Sequence, residues 1–253
     1  MAVKSLIEAI EELRTLIEAI RAGEYCCLRY GLPYIKVSDI MMLYYCGAKL
    51  DFAMRLGREE GQRARLRELR VLAEALLRAK GRISEAACSK GFVSIPLAAI
   101  VEGIPIIGRP DSIMIEKCRV KSLIWLNMTK NVRRIREWHR VRMYLLGLIA
   151  DYSPLPVDND VDLYIVNFSS TLAARKALQQ LREGEGAGCG DDYCVIRLVY
   201  DRGVALGSTG GILRYWVDET IKPIPRPAST KCSLCEFRNI CPYAVQRGGE
   251  EGG

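Results

Sequence analysis

The sequence lacks the two features that place a protein in or across a membrane. No apolar run approaches the ~20 residues that a membrane-spanning helix needs, and no signal peptide opens the chain. We therefore expect a cytoplasmic protein with no membrane partner. Because thiols stay reduced in that compartment, the ten cysteines are expected to be free thiols or metal ligands and not a disulfide framework.

Negative charge is in short supply relative to positive charge. The 253 residues include 37 Lys and Arg against 30 Asp and Glu, which gives a formal net charge of +7. This excess favours an anionic partner such as nucleic acid, although many basic proteins bind none. With 49% hydrophobic and 26% charged residues, the composition is typical of one large globular domain, or of one domain with an appendage.

Three cysteines near the C-terminus form the most specific motif. They are Cys232, Cys235 and Cys241, and Pro242 follows directly. Thiolates are soft ligands that select zinc or iron–sulfur clusters, and four of them usually hold a 4Fe–4S cluster. The best candidate for the fourth ligand is Cys46. The motif therefore predicts a 4Fe–4S cluster that joins distant parts of the chain, with a zinc site or buried free thiols as alternatives.

The hydrophobic pattern predicts a mixed sheet flanked by helices. Helices are expected over residues 3–22, 37–56, 59–80, 131–150, 172–181 and 212–219. A meander of three or four strands is expected over 85–130, with further strands over 161–168 and 194–200 and a mobile loop over 184–190. This order indicates an α/β or α+β fold. The apolar stripe of the first helix is typical of core packing or of docking to a partner.

Three stretches in this order resemble the CRISPR-associated RecB-like exonucleases that carry an iron–sulfur cluster. The first runs from Val37-Ser38-Asp39 to Tyr45-Cys46, the second is Gly108-Arg109-Pro110-Asp111, and the third is the cysteine motif with Pro242. The resemblance covers roughly residues 37–243. It implies a PD-(D/E)XK nuclease core over 37–222, preceded by a helical extension over 1–36. A cysteine clamp and a disordered Gly/Glu tail would then occupy 223–253.

The same resemblance implies a cofactor, an activity and partners. A 4Fe–4S cluster would be bound by Cys46, Cys232, Cys235 and Cys241. The activity would be Mg²⁺- or Mn²⁺-dependent exonuclease action on single-stranded DNA. The biological role would be the acquisition of new spacers together with the CRISPR integrase proteins.

The catalytic motif is only partly present. Hydrolysis of this kind needs a divalent ion held by at least two carboxylates, and a lysine that assists the attacking water. Asp111 stands at the family's first carboxylate, but Trp125 and Asn127 stand where the family has Glu and Lys. No Asp or Glu occurs between Lys117 and Arg136, so a shift of register does not restore the second ligand.

The remaining family positions are also altered. The Gln-x3-Tyr motif reads Arg140 to Tyr144, which keeps the tyrosine and loses the glutamine, and Arg65 is the nearest counterpart of the family's upstream histidine. The single histidine, His139, is expected to be a surface or partly packed residue. These changes predict a degenerate nuclease centre, with Asp111 and Tyr144 as its remnants.

The sequence leaves three functions open. In the favoured one, the protein keeps DNA binding to single-stranded or splayed DNA through Arg133, Arg134 and Arg140, with arginines keeping the former cleft positive. In the second, Asp111 works with Glu102 or Glu116 in an active exonuclease. In the third, the chain is a zinc-stabilised structural subunit of a larger assembly.

Overall fold

The computed structural model describes residues 2–25, 28–81 and 89–245. The helices within these ranges are α1 (Ala2–Ala22), α2 (Val37–Tyr45), α3 (Gly47–Leu56), α4 (Arg58–Lys80), α5 (Glu137–Tyr152), α6 (Thr171–Glu183), α7 (Arg202–Arg214) and α8 (Ser229–Cys232). The expected tail over 246–253 and the expected start of the meander at 85–88 lie outside the described ranges.

The strands form two mixed sheets. They are β1 (Ile35–Lys36), β2 (Lys90–Val93), β3 (Leu97–Val101), β4 (Ile104–Gly108), β5 (Ser112–Glu116), β6 (Arg119–Met128), β7 (Val157–Phe168), β8 (Gly188–Cys189) and β9 (Tyr193–Val199). The larger sheet has the order β2-β5-β6-β7-β9-β8, and the smaller one has the order β1-β4-β3. In both sheets one strand pair is parallel, β6–β7 and β1–β4, and the other pairs are antiparallel. The expected mixed α/β fold is thereby confirmed.

Helix α5 connects the parallel strands β6 and β7 and packs against both sheets. Its apolar residues are buried together with those of β3, β4 and β7 in one hydrophobic cluster. Gly108 ends β4 under this helix, where a Cβ atom would lie 2.8 Å from Leu146 and 2.9 Å from Val37. The glycine of the Gly-Arg-Pro-Asp stretch is therefore needed for α2 and α5 to pack over the end of β4.

The first helix belongs to the core. The apolar stripe of α1, including Leu6, Ile10, Leu13 and Ile17, is buried in the same cluster as the sheet residues. The helix packs against α4 and β3, and it ends before Gly23, whose φ of +85° only glycine adopts readily. Of the two interpretations of this stripe, core packing is the one observed.

The expected meander is divided between the two sheets. Strands β3 and β4 form a hairpin in the smaller sheet, whereas β2, β5 and β6 belong to the larger one. The chain therefore forms five strands in this region within the described ranges, and not a single meander. Gly-rich residues 184–190, expected to be a loop, include β8, which pairs with β9.

Two helix boundaries differ from those expected. Helix α5 begins at Glu137, because the buried Asn167 side chain donates to the carbonyl oxygens of Val132 and Arg134 at 2.8 and 3.2 Å. These bonds hold residues 131–136 out of the helix, so Arg133 and Arg134 lie before α5. The expected helix over 212–219 is instead α7, which begins after Asp201, whose side chain accepts the N–H of Val204 at 2.7 Å.

The expectation that all cysteines are thiols or ligands is wrong for three of the described cysteines. Cys189 and Cys194 stand opposite each other on β8 and β9, with their Cα atoms 4.0 Å apart, and form a disulfide. Cys118 is also disulfide-bonded. Cys46, Cys232, Cys235 and Cys241 are free. Within the described ranges, no helix combines the length and the apolar character that a membrane span requires.

Candidate metal centre and remnant nuclease site

The four cysteines of the expected cluster line one cavity. Cys232 ends the short helix α8, and Cys235 and Cys241 lie in the turns that follow it. Together with Cys46 they border a space of about 220 Å³. All four side chains are partly buried, so they are shielded from bulk water but not sealed from it. The tertiary structure thus brings together residues that are far apart in the sequence.

Cys46 occupies a break between two helices. The sequence pattern predicts one helix over 37–56, but Cys46 has an extended backbone (φ −167°, ψ 109°) that separates α2 from α3. Its N–H still donates to the carbonyl oxygen of Met42 at 2.8 Å. The break places Cys46 in the lining of the cavity, which the other three cysteines share.

Residues 223–245, here called the clamp segment, dock against this break at Gly47. The N–H of Gly47 donates to the carbonyl oxygen of Ile224 at 2.9 Å. A Cβ atom on Gly47 would lie only 2.7 Å from the backbone nitrogen of Ile224 and 2.8 Å from its oxygen. Since backbone atoms cannot yield as a flexible side chain does, only glycine permits this approach.

Side chains reinforce the docking on either side of Gly47. Phe52 of α3 stacks on Phe237, with ring centroids 5.8 Å apart. Lys49 forms an ion pair with Glu236 at 3.1 Å. The Lys231 ammonium donates to the carbonyl oxygen of Tyr45 at 3.2 Å. These contacts fix the clamp segment against α2 and α3, and with it the positions of its three cysteines.

The electrostatic surroundings of the clamp favour a thiolate at Cys232. Hydrogen bonds with the backbone of Val245 and of Ala228 lower the pKa of this thiol, and the positive charges of Arg238 and Lys231 lower it further. The thiolate is the form that binds metals. The cavity lining contains four thiols, four cations and no carboxylate, which is a donor set for a soft metal and not for Mg²⁺ or Ca²⁺.

The thiols share a cavity without forming a compact ligand group. Among the residues that the structure describes, no three His, Cys, Asp or Glu side chains are grouped closely enough to hold a metal ion. The four thiols therefore face the same cavity, but their sulfur atoms are not at the short mutual distances of a metal-bound set. The donor types of the lining therefore fit a thiolate-bound cluster.

Asp111 directly precedes β5, at the end of that strand in the larger sheet. Its N–H donates to the carbonyl oxygen of Ile124 at 3.0 Å, and its carboxylate accepts the N–H of Leu126 at 2.8 Å. Both bonds continue the pairing of β5 with β6. One carboxylate oxygen is thus occupied by the backbone, as expected of a residue that stabilises a turn.

Trp125 fills the place beside Asp111 where the nuclease family has its second carboxylate. Its side chain is buried and packs against Trp138 and His139, with ring centroids 5.5 and 5.0 Å away. The Arg142 guanidinium lies over the same ring, 4.9 Å from its centroid. Burial lowers the pKa of Arg142, and the charge of Asp111 opposes this shift. A cation therefore lies close to the carboxylate of Asp111.

Asn127 takes part in a structural hydrogen-bond network. Its side chain donates to Oδ1 of Asn167 at 2.7 Å, and Asn167 in turn holds the segment before α5. This arrangement supplies no positive charge at the position where the family has lysine.

The other expected site residues have separate surroundings. His139 is buried, contrary to expectation, and burial, aided by the charges of Arg136 and Arg142, lowers its pKa to about 4. Its Nδ1 accepts the N–H of Arg136 at 3.4 Å, so the neutral ring serves the start of α5. Tyr144 is partly buried, and Arg140 is exposed.

Two arginine positions were misjudged from the sequence. Arg65 is buried and pairs with Asp39 at 2.8 Å, so it does not make a cleft positive. Arg142, and not Arg140, lies over Trp125 beside Asp111. Its position four residues after Trp138 on one helix was the available signal, because residues at that spacing share a helix face.

Replacing Gly47 by alanine is expected to release the clamp segment. The added Cβ would overlap the backbone of Ile224, so we expect a loss of about 1–3 kcal/mol in the free energy of unfolding. Tryptic cleavage after Lys231 and Arg238, followed by mass spectrometry, should become several-fold faster. Gly61→Ala is the matched control, because a Cβ there meets nothing within 4 Å on helix α4. Equal cleavage rates in the two variants would show that docking of the clamp segment does not require glycine at position 47.

Comparisons with known proteins give only weak evidence of similarity. No protein-family profile matches the chain, and no curated protein matches it in sequence. The crystal structure of SSO0001 is similar to it with a TM-score of 0.41 and 12% sequence identity, over 84% of this chain and 87% of that chain. A likeness at this level carries no argument about family or activity.

Proposed function

We propose that this protein is an iron–sulfur DNA-binding member of the CRISPR-associated RecB-like nuclease family, with an inactive nuclease centre. In this proposal it acts in spacer acquisition alongside the CRISPR integrase proteins. The observation that carries the proposal is that Cys46, Cys232, Cys235 and Cys241, the set implied by the resemblance, line one cavity. The aromatic packing of Trp125, the hydrogen bond from Asn127 to Asn167 and the Arg142 cation near Asp111 support the loss of hydrolysis.

The proposed cluster would be bound by one thiolate from the α2–α3 break and three from the clamp segment. A 4Fe–4S cluster bound there would supply a cross-link between distant parts of the chain, because the energy of metal binding is also folding energy. Residues of this chain position the clamp segment for such a cross-link. Gly47 allows the clamp segment to approach closely, and the Lys49–Glu236 ion pair and the Phe52–Phe237 stack hold it in place.

The surroundings of Asp111 argue against metal-dependent hydrolysis. Glu102 and Glu116, the carboxylates considered as a second metal ligand, both lie away from Asp111. Glu116 ends β5, five residues after Asp111 and so about 17 Å along an extended strand. Glu102 lies in the turn between β3 and β4 of the other sheet. Asp111 alone would hold Mg²⁺ poorly, and the nearby Arg142 cation would repel it.

The DNA-binding role rests on exposed cations near this centre. Arg133 and Arg134 are exposed in the segment before α5, and Arg140 is exposed on its first turn. Contacts of arginine with phosphates do not require catalysis and suit a net positive chain. The structural-subunit alternative is tested by the same measurement of DNA affinity.

Protein purified without oxygen should contain about four irons and four sulfides per chain. Cys235→Ser should lose most of the iron and unfold at a lower temperature, because the cross-link is lost. The double variant Cys189→Ser, Cys194→Ser is the control and should keep its iron. Stoichiometric zinc without iron, or full iron in Cys235→Ser, would refute the cluster assignment.

Binding to single-stranded DNA should weaken steeply with salt. The triple change Arg133→Gln, Arg134→Gln, Arg140→Gln should reduce the slope of log K against log salt by about 2, since three phosphate contacts contribute ~0.7 each on a single strand. The matched control changes Arg63, Arg67 and Arg70, which are exposed on α4. Absence of DNA binding by the unaltered protein at low salt would favour the structural-subunit alternative.

No degradation of labelled single-stranded DNA is expected with Mg²⁺ or Mn²⁺. The unaltered protein and Asp111→Ala should both match the rate without protein, because a single carboxylate neither holds nor positions the ion. The measurement is product formation on a denaturing gel over several hours. Cleavage by the unaltered protein that disappears in Asp111→Ala would establish the active-exonuclease alternative.

A further inference from the structure

A second cavity adjoins the cysteine-lined one. It has a volume of about 570 Å³ and lies between α2, the residues that begin α5, and the clamp segment. The two cavities share Tyr45, Lys49, Arg226 and Lys231. Its size is within the range of cavities that bind small organic ligands or cofactors. None of the residues at which DNA contact was expected from the sequence lines it.

The walls of this cavity are aromatic and apolar. They include Met41, Met42, Tyr44, Tyr45 and Trp138. Tyr45 is 44% exposed, so its ring is available to a ligand. Trp138 is partly buried and is supported from behind by Trp125. A planar ligand would therefore meet ring faces that are already held in place, which reduces the entropy lost on binding.

The charged side chains that line this cavity are all positive, although Glu137 lies beside Tyr44. The lining includes Lys49, Arg136, Arg226 and Lys231 and no carboxylate. Arg226 lies 4.7 Å from the ring centroid of Tyr44, and Lys231 lies 4.3 Å from that of Tyr45. Among the ion pairs within the described ranges, only Lys49 of these four has a carboxylate partner. The combination of ring faces and available cations suits a ligand with an aromatic ring and a negative charge.

We propose that this cavity binds a nucleotide of a single-stranded DNA, with its base against Tyr45 and Trp138 and its phosphates near Arg136 and Lys231. This inference rests on the proposed DNA-binding function and adds a specific site to it. Aromatic rings beside cations are how proteins hold unpaired bases without selecting a sequence. A duplex cannot use the cavity, because its bases are already stacked on one another.

One of the exposed arginines of the segment before α5 lines this cavity. Arg136 lines it, and Arg133 and Arg134 lie in the same segment, held by Asn167. A strand whose base enters the cavity would therefore have its adjoining phosphates near positive charge. Two different elements form its walls, because Tyr45 belongs to α2 and Lys231 to the clamp segment. Its shape depends on the docking at Gly47.

The test separates the contribution of base stacking to DNA affinity from that of charge, using the full-length protein. The probe is fluorescein-labelled oligothymidylate, and its affinity is measured by fluorescence anisotropy over a salt series. Tyr45→Leu should weaken binding about tenfold without changing the salt slope, because a base–aromatic contact is lost and no charge is removed. Tyr45→Phe should bind like the unaltered protein, since it keeps the ring. Tyr152→Leu, at a partly exposed tyrosine on the last turn of α5, is the matched control and should have no effect.

A second probe carries abasic sugars, which keep the phosphates and remove the bases. Tyr45→Leu should not change the affinity for it. If the unaltered protein binds oligothymidylate and Tyr45→Leu matches Tyr152→Leu, the cavity assignment is overturned while the DNA-binding function stands. If the unaltered protein binds no oligonucleotide at low salt, the proposed function itself fails. Thymidine monophosphate bound as tightly as the oligonucleotide would overturn the assignment to a strand and indicate a free nucleotide. Iron content and melting temperature of each variant exclude a loss of fold.

Discussion

The contact between Gly47 and the backbone of Ile224 is the constraint on which the candidate sites depend. It lets the clamp segment approach the break between α2 and α3 more closely than any side chain would allow. Through this approach, Cys46 comes to line the same cavity as three cysteines from the other end of the chain. The aromatic and cationic cavity beside it uses residues from the same two elements. Both cavities therefore have their shape only while the clamp segment is docked.

The surroundings of Asp111 combine backbone hydrogen bonds with apolar packing. Asp111 still ends the Gly-Arg-Pro turn, and Gly108 still lets α2 and α5 pack over β4. The space beside Asp111 is filled by Trp125 and by the Arg142 guanidinium above its ring. The buried indole adds apolar area to the core, and the Arg142 guanidinium brings a positive charge close to the carboxylate of Asp111.

The proposed functions are connected through Trp138. One side of its ring supports Trp125 in the remnant site, and the side chain also lines the second cavity. A strand bound in that cavity would lie between the remnant site and the cysteine-lined cavity. Its phosphates would be attracted by cations from two separate elements, α5 and the clamp segment. Binding and docking of the clamp would then stabilise each other, because each needs the same arrangement of these elements.

The sequence by itself determined the local features: the mixed α/β class, the start and end of α1 and α4, and the cysteine motif with its soft-metal preference. Periodicity and ligand type are properties of neighbouring residues, so they can be read without the fold. Only the tertiary structure decided the break at Cys46, the late start of α5, the division of the strands into two sheets and the Cys189–Cys194 disulfide. It also decided that Arg142 faces Trp125 and that Arg65 pairs with Asp39. Most of these depend on contacts between residues distant in the sequence, such as Asn167 with Val132 and Gly47 with Ile224, and such contacts override local propensity. The disulfide depends instead on the pairing of β8 with β9, which the sequence pattern did not indicate.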